Sequence, residues 1–199
     1  SIFTDGLFLL NAEGKVVLAY PRAQVTNRDL QGIGDLQRAY RESKPFFSKV
    51  HTLADTGRQA MFAFAPLKDK TGKNVGVIGG EIDPTTHFLR NSVRAIPDNH
   101  QTIIELVDAQ GTVIASSDPT RVFLCSDRKN VLGNLIRSDS PAVFQCHRCH
   151  EEGSDNSRAS VLSTDVLAFA PLKEAPWGIA VREPESEIYG PSGDLRRRF

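Results

Sequence analysis

The chain has 199 residues, and its 24 lysine and arginine residues balance 24 aspartate and glutamate residues, so the formal net charge is zero. A balanced charge gives no electrostatic reason to bind a polyanion, and the sequence therefore predicts no nucleic-acid partner. Hydrophobic residues make up 40% of the chain, which is typical of a globular protein, and no apolar run is long enough to cross a membrane. The length fits one large domain or two small ones.

The first half of the chain predicts a hairpin, a helical stretch and two long strands. Alternating apolar residues and turn signals predict strands over residues 6–10, 15–20, 59–68 and 74–82, with mixed helix and loop over 27–50. Asp83 is predicted to cap a helix over Thr85–Ala95, with Pro84 at its first position.

The second half repeats this order. Strands are predicted over residues 102–108, 112–117, 160–171 and 177–182, with mixed helix and loop over 128–150 and a C-terminal helix starting at Glu183-Pro184. The segment Asn11–Gly14 matches Asp108–Gly111 at an offset of 97, and Ala63–Lys68 recurs as Ala168–Lys173 at an offset of 105. The sequence is therefore predicted to be a duplicated scaffold built mainly from antiparallel hairpins.

The change of offset places an insertion of eight residues in the second copy. Phe47 still matches Phe144 at an offset of 97, so the insertion falls after Phe144, in the interval that contains Cys146 to His150. The first copy has no cysteine at the equivalent place. The cysteine motif is therefore interpreted as an addition to a loop of a repeated fold.

The motif Cys146-His147-Arg148-Cys149-His150 has the spacing that attaches a c-type haem. Cys146 and Cys149 would add to the two vinyl groups from one short turn, and His150 would supply the axial ligand. His87 and Met61 are the candidate distal ligands. Two alternatives stay open: Cys125, Cys146, Cys149 and His150 form a Cys3His set that suits tetrahedral zinc, or Cys125 pairs in a disulfide with one cysteine of the motif.

The Asp-Ala-x-Gly hairpins, the Phe-Ala-Pro-Leu strands and the segment Trp177–Glu185 together resemble the double Cache family. The resemblance implies an α+β fold of two tandem PAS-like modules, each an antiparallel sheet flanked by helices. It implies a membrane-distal module over residues 1–95, without its N-terminal helix, and a membrane-proximal module over 96–199 that carries the cysteine motif. It also implies an extracytoplasmic or periplasmic domain of a membrane-anchored, homodimeric bacterial receptor with a histidine kinase, diguanylate cyclase or chemotaxis output.

The family also implies a ligand pocket in the first module. Members that bind amino acids carry an Arg-x-Trp-Tyr pattern and a late aspartate; here Lys44, Phe46 and Phe47 stand in place of the pattern, and Asp83 stands at the strand end. Lysine lacks the bidentate fork that arginine offers a carboxylate, so the ligand expected is a small carboxylate of another kind or an apolar molecule. Core packing of the two phenylalanines and helix capping by Asp83 are the alternative interpretation.

Three functions follow from these features. The first is a non-enzymatic sensor of redox state or a diatomic gas through haem c, and the second is a sensor of a small organic ligand whose cysteines hold zinc or a disulfide. The third is an electron-transfer cytochrome. The chain lacks the nucleophile elbow, the His-Glu-x-x-His motif and the phosphate loop that would indicate an enzyme.

Overall fold

The computed structural model describes Phe3 and residues 6–20, 34–94, 102–124, 129–147 and 164–189. The chain separates into two compact units, Ser1–Phe88 and Leu89–Phe199. The predicted boundary between residues 95 and 96 lies outside the described residues and stays a prediction. None of the helices in the described ranges is long and apolar enough to cross a membrane.

The first unit is built on a six-stranded antiparallel sheet. In sheet order the strands run β2-β1-β6-β5-β3, and β4 also pairs with β5. Their bounds are β1 Gly6–Asn11, β2 Val16–Tyr20, β3 Phe46–Phe47, β4 His51–Thr52, β5 Gln59–Lys68 and β6 Asn74–Ile82. Helix α1 spans Gly34–Arg41, and helix α2, His87–Arg94, follows β6 and continues past the boundary of the unit.

The second unit contains a five-stranded antiparallel sheet in the order β8-β7-β11-β10-β9. Its strands are β7 Ile103–Asp108, β8 Val113–Ser116, β9 Ala142–His147, β10 Thr164–Pro171 and β11 Trp177–Pro184. A 3-10 helix, Pro119–Arg121, follows β8, and helix α3, Val131–Arg137, precedes β9. Residues 185–189 are helical directly after β11. The predicted α+β fold of two tandem modules with antiparallel sheets is therefore confirmed.

Two local predictions need correction. The stretch 128–150, predicted as helix and loop, contains strand β9, in which Phe144 and Cys146 alternate with the exposed Val143 and Gln145. Helix α2 begins at His87 rather than at Pro84 or Thr85. The reason is that the Asp83 carboxylate accepts hydrogen bonds from the Thr85 backbone N–H, at 2.8 Å, and from the Thr85 hydroxyl, which closes a turn ahead of the helix.

The hairpin turns confirm the internal repeat in atomic detail. The Oδ1 of Asn11 accepts from the backbone N–H of Glu13 and of Lys15, at 3.2 and 2.9 Å. The Oδ1 of Asp108 accepts from Gln110 and Thr112, at 2.9 and 2.8 Å, in the same pattern. Each turn ends in a glycine with positive φ, +80° at Gly14 and +83° at Gly111, a conformation that side chains with a Cβ rarely adopt.

Each unit has its own apolar core on the inner face of its sheet, the face covered by α1 or α3. Aromatic rings fill the first core: Phe62 and Phe64 stack at 5.8 Å, and Phe8 meets both edge-on. Helix α1 contributes the buried Leu36 and Ala39. The members of the second core are Val107, Val113, Leu132, Leu167, Phe169 and Ala180, with Leu135, Ile136, Phe144 and Cys146 packed against them.

Glycines opposite phenylalanine rings set the packing in both sheets. A methyl group on Gly178 would overlap the buried ring of Phe169, as one on Gly79 would overlap Phe8. Replacing Gly178 with alanine is therefore expected to lower the free energy of unfolding by about 1–3 kcal/mol, because the buried ring or the strand must shift to admit the methyl group. Urea unfolding followed by circular dichroism measures this change.

The matched control is Gly34→Ala at the start of α1, where nothing lies within 4 Å of the added methyl group. This change is expected to be neutral or to stabilise by up to about 1 kcal/mol, because alanine favours the helix over glycine. Equal effects of the two substitutions would show that the ring contact at Gly178 is unimportant.

Candidate functional site

The inner face of the second sheet is apolar at one end and polar at the other. Side chains two positions apart on a strand share a face. The core residues Val107, Leu167 and Ala180 lie on the inner face, so the side chains two positions away, at 105, 165 and 182, lie on that face too. All the polar residues of this end are at least partly buried. They are Glu105 on β7, Ser116 on β8, Cys146 on β9, Asp165 on β10 and Arg182 on β11.

Arg182 connects three elements of this polar end. Its Nη1 donates to the Sγ of Cys146 at 3.2 Å, and its Nε donates to the Oε2 of Glu105 at 2.8 Å. The Oε1 of Glu105 accepts from the Nε of Arg121 at 2.6 Å, so one buried carboxylate lies between two guanidinium groups. Burial acts to lower the pKa of Arg182, but its interactions with Glu105 and Cys146 outweigh burial, and the pKa is raised.

The first cysteine of the predicted haem motif is thus in a defined position. Cys146 lies in β9, paired with Asp165 of β10, and not in the short turn that the sequence predicts. Its side chain faces inward, against the apolar core on one side and Arg182 on the other. Cys149, His150 and Cys125 lie outside the described residues, so the second attachment point, the axial ligand and the zinc alternative stay predictions.

The described surroundings of Cys146 fit the attachment point of a covalently held haem. Such a point needs a thiol and apolar side chains to contact the porphyrin. Phe144 and Ile136 pack against the same core cluster as Cys146, and Arg182 supplies a buried guanidinium. Around Cys146, therefore, the residue types match the needs of the group.

The two candidate distal ligands lie in different elements. Met61 is in β5, paired with Ile82, and is fully buried. It alternates with Ala60 and Phe62, which belong to the first core, so it lies on the opposite face of that sheet. His87 is the first residue of α2, and its side chain lies outside the described part of the structure.

The four residues of the predicted ligand pocket fall at two places along the first sheet. Phe46 pairs with Phe64 in the middle of β5, and its ring lies 5.6 Å from that of Phe64. The guanidinium of Arg38 lies over the Phe46 ring, 4.4 Å from its centre. Phe47 is partly buried beside it, and Lys44 is exposed.

Asp83 belongs to a different part of the sheet. It follows Ile82, which pairs with Met61. Along β5, Met61 is three positions away from the residue that pairs with Phe46. Its Oδ2 accepts from Nη1 of Arg58 at 3.1 Å. Nη2 of the same guanidinium donates to the buried Glu81 at 2.6 Å. The sheet therefore separates Asp83 from the phenylalanines and gives it an ion-pair network with Arg58 and Glu81.

These ion-pair networks were missed by the sequence-based predictions, and one member of each network occupies an equivalent strand position in the two units. Val77 of β6 pairs with Leu10, and Gly178 of β11 pairs with Val107, the repeat equivalent of Leu10. Four residues farther along each of these strands stand Glu81 and Arg182. The available signal was a charged residue inside a strand with mostly buried neighbours, which requires an oppositely charged partner.

Two tandem units of this architecture define the double Cache class of fold. A family model described as a Cache domain matches residues 2–192. The chain therefore belongs to the Cache domain family. A search of curated protein sequences finds no match.

Solved structures share the fold at low sequence identity. The extracellular domain assigned to a histidine kinase, rpHK1S-Z16, is 14% identical with a TM-score of 0.70, over 92% of this chain and 71% of that one. The ligand-binding domain of the Pseudomonas fluorescens chemoreceptor CtaA, in complex with L-leucine, is 19% identical with a TM-score of 0.62, over 92% and 72%. That of the Pseudomonas aeruginosa PAO1 amino acid chemoreceptor PctC, in complex with GABA, is 17% identical with a TM-score of 0.58, over 89% and 73%.

Proposed function

We propose that this chain is the non-enzymatic sensory domain of a transmembrane receptor, and that its second unit senses redox state or a diatomic gas through covalent haem c. Cys146 and Cys149 carry the haem in this proposal, and His150 is its axial ligand. The observation that carries the proposal is the Cys-x-x-Cys-His spacing together with the inward position of the Cys146 thiol beside Arg182.

The receptor context follows from the family. The domain lies on the extracytoplasmic side of a membrane, in agreement with structural neighbours that are extracellular and ligand-binding domains of receptors. In the proposed receptor, residues 1–95 form the membrane-distal module and 96–199 the membrane-proximal one. The receptor is a homodimer, and its output is a histidine kinase, a diguanylate cyclase or a chemotaxis protein.

The residues around Cys146 have separable roles in this site. The apolar side chains of Phe144 and Ile136, which pack against the same core cluster as Cys146, would exclude water from the attached haem. Arg182 is held by Glu105 and donates to the sulfur of Cys146, so its guanidinium has a fixed direction beside the attachment point. A bound haem would supply a reversible one-electron change and a coordination position for a diatomic gas. His87 and Met61 are the proposed ligands on the distal side.

The test is maturation of the chain in cells that export it and contain haem-attachment machinery. The proposal expects an intact mass increased by one haem and a Soret band that stays with the polypeptide after acid extraction. It also expects the band to shift on reduction or on addition of CO. A cytochrome c matured in the same cells serves as the positive control. A colourless chain beside a fully loaded control would exclude the haem proposal, and stoichiometric zinc would favour the Cys3His alternative.

A second candidate function is recognition of a small carboxylate by the first unit. It is favoured by two structural neighbours, which were solved in complex with L-leucine and with GABA. The first unit also has a carboxylate at the predicted position: Asp83 lies at the end of β6 beside the guanidinium of Arg58. An amino acid needs both a carboxylate to accept from its ammonium group and a guanidinium to bind its carboxylate. In this candidate the cysteines only hold zinc or a disulfide.

If the first unit binds an amino acid, Asp83→Asn is expected to weaken binding at least about ten-fold, because a charged hydrogen bond to the ammonium group is lost. Isothermal titration calorimetry against the common amino acids and GABA measures this. Asp69→Asn, in the exposed turn after β5, is the matched control and should leave affinity unchanged. If both variants bind equally strongly, Asp83 does not contact the ligand. If the unmodified chain binds none of these compounds, recognition of a small carboxylate by the first unit is excluded.

A further inference from the structure

One end of the first unit brings together three exposed segments. Asn11, at the end of β1, pairs with Gly76 near the start of β6. Lys68, at the end of β5, pairs with Asn74 at the start of the same strand. The turn between β1 and β2 and the turn between β5 and β6 therefore lie at the same end of the sheet. The last turn of α1 reaches this end too, since the hydroxyl of Tyr40 donates to the carbonyl of Asn11 at 2.7 Å.

Positive charge is concentrated at this end, and we call residues 12–15, 40–44 and 68–73 the cationic end. Six exposed cations project from it: Lys15, Arg41, Lys44, Lys68, Lys70 and Lys73. None of the six forms an ion pair with another described residue. Among the acidic residues of these segments, Glu42 already pairs with Arg38. Only Glu13 and Asp69 remain, which leaves an excess of four positive charges.

The positive charges are close enough to act together. Adjacent strands lie about 4.8 Å apart, and the two turns are two strand spacings apart in the order β2-β1-β6-β5, so their separation is about 10 Å. This separation is close to the Debye length of about 8 Å at physiological ionic strength. A partner at the cationic end would therefore meet the summed field of several cations, although the whole chain has a formal net charge of zero.

The second unit has the same turns without this charge. Thr112 stands in its first hairpin turn where the first unit has Lys15. Lys173, the repeat equivalent of Lys68, is followed directly by Glu174. Closing the hairpins therefore does not require positive charge, and the cationic end is a property of the first unit alone.

Two exposed valines lie beside the cationic end. Val17 in β2 and Val75 in β6 are each the extra residue of a β-bulge, at the point where the register of their hairpin shifts. They are 56% and 45% exposed. The bulge residue of the equivalent hairpin in the second unit, Ile114, is fully buried. The surface thus combines cations with small apolar side chains, a combination that suits the boundary of a lipid layer.

We propose that the cationic end docks on an anionic lipid surface. The long, flexible lysine side chains pair with headgroup phosphates, and Val17 and Val75 contact the boundary between headgroups and acyl chains. Strand β6 begins at this end and leads away from it to Asp83, so the end is opposite the point where the chain leaves the sheet. The proposal goes beyond the sensor function. Where the first unit is membrane-distal, the lipid belongs to a second membrane rather than to the anchoring one.

The test measures binding of the full chain to lipid vesicles by co-sedimentation. Vesicles of phosphatidylcholine with about 30% phosphatidylglycerol are compared with vesicles of phosphatidylcholine alone. We expect binding to the anionic vesicles only. The triple variant Lys68→Gln, Lys70→Gln, Lys73→Gln is expected to bind at least about ten-fold more weakly, because each lysine near an anionic surface contributes to the attraction. If circular dichroism shows that this variant is not folded, Lys15→Gln with Arg41→Gln replaces it.

The matched control has the same net charge as the triple variant. It combines Lys49→Gln, Arg137→Gln and Lys173→Gln, which remove three exposed cations outside the cationic end. Lys49 lies at the other end of α1, where its backbone N–H donates to Asp35. The control should bind like the unmodified chain. Equal losses in the two triple variants would show that only net charge matters and would overturn the proposal, as would failure of the unmodified chain to bind anionic vesicles.

A second comparison separates a lipid surface from a soluble polyanion. Val17→Ser combined with Val75→Ser is expected to weaken vesicle binding at least about three-fold, because apolar contact is lost. It should leave binding to soluble polyphosphate unchanged. Vesicle binding that is insensitive to both serines, beside polyphosphate binding of equal strength, would assign the cationic end to a hydrophilic polyanion and contradict the lipid proposal. Haem attachment should be the same in the lysine variant and the unmodified chain, so neither proposal decides the other.

Discussion

The double variant Cys146→Ser, Cys149→Ser is expected to carry no covalently attached haem when it is exported in cells that contain the attachment machinery. Each thioether requires a sulfur nucleophile, which serine cannot supply. The measurement is the haem signal that stays with the polypeptide on a denaturing gel, together with the intact mass. The unmodified chain should retain one haem per polypeptide, so the expected effect is a complete loss.

The control for this result is Cys125→Ser. This change should leave haem attachment unaffected, because Cys125 is not part of the Cys-x-x-Cys-His spacing. If Cys125→Ser instead removes a bound metal from a colourless chain, the Cys3His interpretation is correct and the haem interpretation is wrong. Haem that stays bound to the double serine variant through denaturation would contradict covalent attachment at these two positions.

Glu105→Gln is expected to lower the free energy of unfolding by about 3–5 kcal/mol. The carboxylate has no exposed surface and accepts from Arg182 at 2.8 Å and from Arg121 at 2.6 Å. Its replacement by a neutral amide removes the negative charge that two guanidinium groups share in a poorly solvated place. Urea unfolding of the haem-free chain, followed by a probe of the second unit such as the fluorescence of Trp177, measures the change.

The matched control for this change is Glu42→Gln. Glu42 pairs with Arg38 one helical turn away, and about half of each side chain is exposed, 54% for Arg38 and 41% for Glu42. Such a pair contributes no more than about 0.5 kcal/mol, because water and salt screen the attraction. A loss of stability at Glu105 that is no larger than the loss at Glu42 would show that the buried network does not hold the second sheet together.

Turn chemistry explains why the scaffold could be predicted from the sequence. The segments Asn11–Gly14 and Asp108–Gly111 carry their conformation in four consecutive residues, because a side-chain acceptor at the first and a glycine at the last suffice to close the hairpin. The long strands β5 and β10 were equally readable, since their repeated Ala-Phe-Ala-Pro segments each place a buried phenylalanine between two less buried alanines.

The candidate site was only partly predictable, because its geometry depends on residues far apart in the sequence. The spacing of Cys146, Cys149 and His150 is visible locally, but the inward direction of Cys146 is set by its pairing with Asp165. The contact with Arg182 joins positions 36 residues apart, and the pair of Arg182 with Glu105 joins positions 77 apart. No local pattern contains that information.

The position of β9 in the second sheet explains how the second unit could gain an insertion that the first unit lacks. Among the described strands, β9 hydrogen-bonds only to β10 and so forms one border of the second sheet. Residues inserted next to an edge strand lengthen the loop between that strand and its neighbour. They do not disturb the backbone hydrogen bonds between the inner strands. Doubling the length of such a connection costs only about 0.6 kcal/mol in chain entropy. A duplicated gene could therefore acquire new chemistry at this margin while the rest of the copy kept its ancestral hydrogen bonding.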